Sequence, residues 1–266
     1  LRPHTISCYV RDARRLGELT GWVTPSKLTS GHVRSYIDWL SERVAPPTVT
    51  SAQLGLRRFF RFLVDEQDIA SDPSAKIKLV RFRVAPQPTY SPSEISQLLA
   101  SCDQSTANGV RDRAIVTVLF DTGVRVGELV SMALPDRINR TVTVEGKTGI
   151  RIVPLGDTSL VEIQRYQRRW RLTNGPLWRG KKGKINESGV FQMIRRLSGR
   201  AGVEFKGVHA FRRAAAAQMK RLGMNDSDIL EVMGWKDVTM LRRYTAAVAS
   251  ELAQAAHIKF SPGDSI

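Results

Sequence analysis

Cysteine and histidine are both scarce in this chain. Its two cysteines, Cys8 and Cys102, lie far apart and have neither metal-ligand nor redox spacing. We interpret them as two reduced thiols, as in a cytosolic protein. The histidines are equally scattered and form no ligand pair: His4, His32, His209 and His257. The sequence therefore predicts no bound metal and no cofactor.

Long apolar runs are also missing. A membrane-spanning helix needs about 20 consecutive apolar residues, and no stretch approaches that length. No secretory leader opens the chain. We therefore predict a cytoplasmic protein that does not enter the membrane. The first residue is Leu1 rather than methionine, as expected for a piece trimmed from something longer.

Acidic residues are too few to balance the basic ones. The chain has 41 Lys and Arg against 25 Asp and Glu, a net charge of +16. Such an excess indicates a polyanionic partner, most simply nucleic acid, although a merely basic soluble protein is the alternative. Residues 1–85 carry a net charge of +6 and the remainder +10. A positive net charge on both parts is expected if two domains bind the same polyanion.

Residues 1–84 are predicted to form a helical domain. Apolar residues recur at helical spacing over about 5–19, 30–43 and 46–65, and Asp72-Pro73 is expected to open a fourth, short helix. The third helix has one apolar stripe and one basic face, formed by Arg57, Arg58 and Arg61. In a chain this basic we favour phosphate contact for that face over a merely solvated surface.

A proline-containing stretch without periodicity, residues 85–92, predicts an extended linker. The second domain, residues 93–266, is predicted to be mainly helical around a buried central helix at Ala114–Phe120. Further helices are expected at about 159–170, 187–200, 208–222, 226–233, 238–245 and 247–258.

The one β region expected lies within residues 138–155. Two β-branched runs, Thr141–Val144 and Ile150–Val153, predict a hairpin with Lys147 at its tip. Such a lysine is usually just solvated. The predicted fold class is therefore mainly α with a small antiparallel β-sheet, in which a helical domain precedes a mixed α/β domain.

Several polar side chains stand in unusual places in the second domain. Arg125 follows the buried central helix at a tight turn after Gly123. A structural pairing with Glu128, three residues on, is the alternative to a functional role. His209 and Arg212 are also three residues apart, so they share one face of a helix.

These residues, in this order, resemble the tyrosine recombinase (phage integrase) family. The matching pieces are Thr122–Leu129, Lys147, His209–Arg212, Gly234-Trp235, and Tyr244 nine residues after the tryptophan. The first 85 residues also resemble the family's helical core-binding domain, so the resemblance covers nearly the whole chain. It implies a catalytic second domain of the DNA breaking–rejoining type.

The sequence departs from the family pattern at two positions. Arg213-Ala214-Ala215 stands where members often have His followed by Thr or Ser. Trp235 occupies a position that often carries His. Neither departure removes a group that the reaction needs.

Phosphodiester cleavage by an oxygen nucleophile passes through a strongly anionic phosphorus. An enzyme without a metal must place fixed cations there, and Arg125 and Arg212 offer planar forks for the two non-bridging oxygens. Tyr244 is predicted to supply the nucleophile and to form a covalent 3′-phosphotyrosine. That ester conserves the energy of the broken bond, so rejoining needs no ATP.

The other site residues are predicted to support this step. His209 is the candidate base, and the resemblance implies that Lys147 protonates the leaving 5′ oxygen. Trp235 can donate its indole N–H to a phosphate oxygen. Glu128 is expected to orient Arg125. Arg213 is expected to contact DNA.

The resulting hypothesis is a site-specific DNA recombinase or integrase of the bacterial nucleoid. Its predicted partners are double-stranded DNA at specific sites and three further copies of itself, a homo-tetramer on two duplexes, with a role left open for accessory DNA-bending proteins. The C-terminal helix 247–258 has a stripe of Val248, Leu252 and Ala255 that is spaced to dock on a neighbour, the alternative being its own subunit.

Three other functions compete with this hypothesis. One is a non-catalytic DNA-binding protein of the same fold, and another is a type IB topoisomerase acting as a monomer. A non-catalytic protein is disfavoured because every reactive position of the family carries a suitable residue. A monomeric topoisomerase would leave the C-terminal helix without a partner. A basic ribosomal or RNA-binding protein would leave the Tyr-Arg-His set unexplained.

Overall fold

Hydrophobic side chains collect in separate clusters along the chain, one of them within the first 85 residues. The computed structural model describes residues 3–82, 85, 87–146, 149–180 and 183–266. The chain divides into two compact units, residues 1–85 and 86–266. No helix among the described residues has both the length and the apolarity needed to cross a membrane.

The described part of the first unit contains three α-helices and a 3₁₀ turn. They are α1 (Pro3–Leu19), the turn at Pro25–Lys27, α2 (Ser30–Ser41) and α3 (Pro46–Asp65). Helix α2 begins with a reciprocal cap, because the Thr29 hydroxyl accepts the N–H of His32 and the His32 ring accepts the N–H of Thr29. The core between the helices is built on Tyr36, Leu56 and Phe60, all fully buried.

The fourth helix predicted at Asp72-Pro73 is wrong, because the chain forms turns there. The Asp72 carboxylate accepts the N–H and the hydroxyl of Ser74, both at 2.7 Å. Such a bond satisfies the backbone in a turn and competes with a helix. The following segment is tied to α3 by Gln53, which donates to the carbonyl of Lys78.

The described part of the second unit contains α-helices and two small antiparallel hairpins. The helices are α4 (Pro92–Ala100), α5 (Ala107–Thr122), α6 (Val126–Ser131), α7 (Asp157–Trp170), α8 (Glu187–Ala201), α9 (His209–Arg221), α10 (Asp226–Met233), α11 (Val238–Thr245) and α12 (Ala249–Lys259). Two 3₁₀ turns lie at Ala246–Val248 and Pro262–Ser265. The predicted fold class, mainly helical with a small antiparallel sheet, is confirmed.

Helix α5 forms the centre of the second unit. Its side chains are buried on nearly every face, and helices α7 and α9 pack against it. At its start the Thr106 hydroxyl accepts the N–H of Gly109 at 3.0 Å. This is the buried central helix that the sequence predicted, and Gly123 ends it as expected.

The predicted hairpin is present. Strand β1 (Thr141–Gly146) pairs with β2 (Gly149–Pro154), and Gly146 lies opposite Gly149. Its predicted tip residue, Lys147, lies outside the described residues. A second hairpin, β3 (Arg179–Gly180) with β4 (Gly183–Lys184), was not predicted, nor was helix α6. Elements this short produce no hydrophobic period.

Gly109→Ala is expected to destabilise the protein by about 1–3 kcal/mol, although alanine is the better helix former. A Cβ at this position in α5 would lie 1.8 Å from the backbone carbonyl oxygen of Asp103. Gly199→Ala in α8 is the matched control, since a Cβ there meets nothing within 4 Å. The control should gain about 0.5–1 kcal/mol. Urea unfolding measures both variants, and equal effects would contradict the close packing at Gly109.

Candidate active site

The turn between α5 and α6 brings the first arginine to the site. Gly123 has a left-handed backbone, φ +59°, and a Cβ there would lie 2.8 Å from the Met233 sulfur. Glycine satisfies both constraints. Arg125 follows at the start of α6, and Glu128 accepts its backbone N–H at 2.8 Å and its Nη1 at 2.9 Å. The pairing of these two side chains is therefore present.

Two arginines share the Glu128 carboxylate. Arg151, on β2, donates Nε to Oε1 at 3.3 Å and Nη2 to Oε2 at 3.0 Å, alongside the two bonds from Arg125. Burial of Glu128 opposes its ionisation, but the hydrogen bonds from Arg151 and from the Arg125 backbone outweigh burial and lower the pKa of Glu128 to about 2. Glu128 is therefore a fixed anion near neutral pH.

Arg212, from α9, is only 1% exposed. Its Nη1 donates to the carbonyl of Gly123 at 2.6 Å, and its Nη2 donates to the carbonyl of Met233 at 2.5 Å. These carbonyls end α5 and α10, where helix dipoles favour a cation. Burial and the charge of Arg125 lower the pKa of Arg212 to about 10, so it stays charged at neutral pH.

Two neighbouring buried N–H groups have no acceptor in the part of the chain that the structure describes. They are Nε of Arg212 and Nε1 of Trp235. The guanidinium carbon lies 4.9 Å from the centroid of the Trp235 ring. An unsatisfied buried donor costs about 1–3 kcal/mol. Both groups are suited to donate to the oxygens of an anion.

Tyr244, on α11, packs against this pair. Its ring centroid lies 4.7 Å from that of Trp235, and the His209 ring faces it edge-on at 6.3 Å. Desolvation by the surrounding protein, together with the charges of Arg212, Arg213 and Arg125, lowers the pKa of His209 below its ordinary value of 6.5. At neutral pH the imidazole is therefore uncharged and able to accept a proton.

A family comparison identifies the protein class to which this constellation belongs. Residues 89–251 match the model of the phage integrase family, which is more than half of the chain. The chain belongs to the phage integrase family.

Curated relatives of this phage integrase family member carry the name tyrosine recombinase XerD. The protein from Pseudomonas putida is 30% identical over 237 residues, covering 84% of this chain and 78% of the relative. The protein from Vibrio cholerae is 26% identical over 272 residues, covering 96% of this chain and 89% of the relative. The resemblance to tyrosine recombinases noted in the sequence is confirmed.

Solved integrase structures share the fold. The Tn1549 transposon integrase in complex with transposon right end DNA has a TM-score of 0.80 at 16% identity, covering 98% of this chain and 95% of that one. A lambda integrase dimer bound to a COC′ core site has a TM-score of 0.75 at 16% identity, covering 90% of each chain. Both units of this chain are included in these matches, since each spans at least nine-tenths of it.

The structure brings five of the six predicted catalytic residues into one neighbourhood of the second unit. They are Arg125, His209, Arg212, Trp235 and Tyr244. The sixth, Lys147, lies outside the described residues. Within the described ranges no group of three or more His, Cys, Asp or Glu side chains could hold a metal ion.

The arginines predicted to contact DNA lie in both units. Arg58 and Arg61 are exposed on α3, whereas Arg57 is half-buried and donates to the carbonyl of Ile77. In the second unit, Arg213 donates Nε to the carbonyl of Pro88 at 2.8 Å. Their contact with DNA remains a prediction.

Sequence reasoning did not single out Arg151. On β2 the usual alternation is inverted: Ile150 and Ile152 are 73% and 69% exposed, while Arg151 shares the inner face with buried Val153. Arg151 also pairs across the hairpin with buried Val144. Along β2, Arg151 and the buried Val153 are two residues apart and so face the same side of the strand. This alternation is the sequence signal that could have revealed Arg151.

Glu128→Gln should lower the free energy of unfolding by about 3 kcal/mol at pH 7, because two arginines lose their shared anion. The pKa of Glu128 is lowered on folding, to about 2. Its stabilisation is therefore complete above the ordinary glutamate pKa of about 4.3 and is lost as the pH falls towards 2. The stability gap between wild type and variant should close on acidification.

Chemical unfolding from pH 7 down to pH 2.5 measures this gap. Glu145→Gln is the matched control, since Glu145 lies exposed on β1. It should change stability by less than about 0.5 kcal/mol. A Glu128→Gln gap of constant size across the series would show that the buried carboxylate is not held ionised by its arginines.

Proposed function

We propose that the chain is a site-specific DNA recombinase that cuts and rejoins duplex DNA through a 3′-phosphotyrosine at Tyr244, without metal or ATP. The observation that carries the proposal is the pair of buried donors on Arg212 and Trp235, which have no acceptor among the described residues and lie beside the Tyr244 ring. A scissile phosphate supplies the acceptors that these donors lack. Its negative charge also offsets a site in which arginines outnumber carboxylates.

The arginines supply the electrostatic part of the reaction. The pentacoordinate phosphorus carries more negative charge on its non-bridging oxygens than the ground state does, so fixed donors there lower the barrier. The Nη groups of Arg212 already donate to helix-end carbonyls, which fix the plane of the guanidinium. Its Nε is the donor directed to substrate. Arg125, oriented by Glu128, supplies the second cation.

The bond changes balance within this set of residues. The Tyr244 oxygen attacks phosphorus, and its proton passes to the neutral His209 imidazole. The bond from phosphorus to the 5′ oxygen breaks, and that oxygen takes a proton from Lys147, the role that family membership suggests. Rejoining reverses these steps with the 5′ hydroxyl of a second strand. The tyrosyl ester conserves the bond energy, so ATP is not consumed.

Charge and the related complexes support duplex DNA as the partner. The chain carries a net charge of +16, and both units are basic. Solved relatives include a lambda integrase tetramer bound to a Holliday junction, with a TM-score of 0.75. We infer that the first unit binds DNA as a core-binding domain and that four copies act on two duplexes, with accessory DNA-bending proteins as further candidates.

Tyr244→Phe should abolish the covalent protein–DNA adduct while DNA affinity stays within about threefold of wild type. The variant loses only the nucleophilic hydroxyl, and the basic surfaces remain. The measurement is adduct formation on a suicide substrate with a nick beside the cleavage site, resolved under denaturing conditions.

Tyr166→Phe is the matched control, because Tyr166 is a buried tyrosine of the same unit whose hydroxyl accepts the Arg179 backbone N–H. It should still form adduct. Adduct formation by Tyr244→Phe would remove Tyr244 from the role of nucleophile. A wild type that shifts DNA in a gel without forming any adduct would favour a non-catalytic DNA-binding protein.

The C-terminal helix α12 is nearly free of its own unit. It contains no buried residue, and Ile258 and Phe260 near its end are 77% and 71% exposed. A paired contact anchors it, in which the Arg221 guanidinium donates to both Glu251 oxygens at 2.7 and 2.8 Å. We propose that α12 docks on the next subunit of a head-to-tail ring, which would tie the placement of Tyr244 to a neighbour.

Deletion of residues 249–266 should leave single-site DNA binding intact and abolish higher-order complexes and recombination. The deletion keeps Val248, which is buried and belongs to the packing after α11. Glu251→Gln is the control, since it breaks the tie to Arg221 but keeps the helix. Gel shifts and a recombination assay measure both variants. Normal synaptic complexes from the truncated chain would mean that α12 does not couple the subunits.

A further inference from the structure

Arg151 connects three elements of the described site. From β2 it donates to both oxygens of Glu128 on α6 and, through Nη1, to the carbonyl of Val232 on α10 at 2.7 Å. It is only half-buried, yet these contacts occupy each of its three nitrogens. A side chain so engaged fixes the relative position of the elements it joins.

The hairpin also meets Glu128 through its backbone. A Cβ at Gly146, the last residue of β1, would lie 2.9 Å from Cγ of Glu128. Both strands of the hairpin therefore approach the same carboxylate, β1 through Gly146 and β2 through Arg151. The carboxylate is 1% exposed, so in the folded protein its charge is balanced by these contacts rather than by water.

The end of α10 is held by two arginines. Val232 accepts from Arg151 and Met233 accepts from Arg212, on consecutive carbonyls. Gly234 then turns the chain with φ +61°, and a Cβ there would meet Cδ and Nε of Arg151 at 3.3 Å. The next residue is Trp235, so Arg151 packs against the turn that sets the position of the indole.

We infer that Arg151 is a positioning residue for strand cleavage, which locks the β1–β2 hairpin to Glu128 and to the Gly234-Trp235 turn. It acts through Glu128 on Arg125 and through the turn on Trp235, and it holds both strands between which Lys147 lies in the sequence. This inference rests on the proposed recombinase function.

The charges around Glu128 make the role measurable by pH. The cations that face it are Arg125 from its own helix, Arg151 from β2 and Arg212 from α9. Burial favours the uncharged form of Glu128, and the hydrogen bonds from Arg151 favour the charged form. Without Arg151 the effect of burial is less strongly opposed, so the pKa of Glu128 rises. A protonated Glu128 no longer binds Arg125, so the fold loses this stabilisation at a higher pH than in wild type.

The experiment compares Arg151→Gln and Arg151→Lys in single-turnover adduct formation at pH 7 and in chemical unfolding across pH. Gln removes both the fork and the charge and should slow cleavage about 10–100-fold, the range for residues that orient a reactive side chain. Its acid unfolding should begin at a higher pH, while its DNA affinity stays within about threefold of wild type. Lys keeps the charge but not the fork. Arg151→Lys should keep the wild-type pH dependence of unfolding but should still cleave slowly.

Arg140→Gln is the matched control. Arg140 precedes the same hairpin but pairs with exposed Asp157, at 2.6 Å, so its loss should leave rate and pH profile unchanged. A double variant tests the route. If Arg151 acts through Glu128, adding Arg151→Gln to Glu128→Gln should slow cleavage far less than Arg151→Gln slows the wild type.

Wild-type cleavage by Arg151→Gln, or full additivity in the double variant, would overturn the inference. Loss of folding in Arg151→Gln together with normal cleavage by Arg151→Lys would overturn it as well, because the fork would then be dispensable. The pH dependence of unfolding of the same variants tests the Arg151–Glu128 link without DNA. If the wild type forms no adduct at all, the proposed recombinase function is contradicted. The unfolding measurements would still decide whether Arg151 keeps Glu128 ionised.

Discussion

A positive charge buried at the meeting point of two helix ends constrains this fold more than any other interaction. Arg212 is almost wholly inside the second unit, and no carboxylate among the described residues pairs with it directly. Its charge is opposed instead by carbonyls that end α5 and α10 and, at longer range, by Glu128. Both helix ends must therefore stay where they are for the charge to be tolerated.

The same arrangement leaves two buried N–H donors of the site without acceptors among the described residues. Most buried donors in proteins find an acceptor, yet Arg212 Nε and Trp235 Nε1 have none in the described part of the chain. Filling the site with a carboxylate would satisfy them and stabilise the free protein. It would also cancel the attraction for phosphate. Under the proposed function, the free protein gives up stability that DNA restores on binding.

The sequence was sufficient for features that depend on local spacing. Helix α5 was predicted because its apolar side chains run all round, and the β1–β2 hairpin because two β-branched runs flank glycines. The pairs Arg125–Glu128 and His209–Arg212 follow from one helical turn. Short elements such as α6 and β3–β4 were not predicted, because segments of six or two residues are too short to show a hydrophobic period. Asp72 begins a turn rather than a helix, because its carboxylate accepts the backbone N–H of Ser74.

Contacts between elements could not be predicted in this way, and they decide how the site is built. Arg125 and Arg212 were expected to offer planar forks to the non-bridging oxygens, whereas both Nη groups of Arg212 donate to the carbonyls of Gly123 and Met233. Arg151 was hidden for the same reason, since its partners come from α6 and α10. Family motifs name the side chains that are proposed to react. The groups that fix Arg212 are backbone carbonyls, and Arg151, the second partner of Glu128, lies outside the matching motifs, so the precision of the site depends on the packing around it.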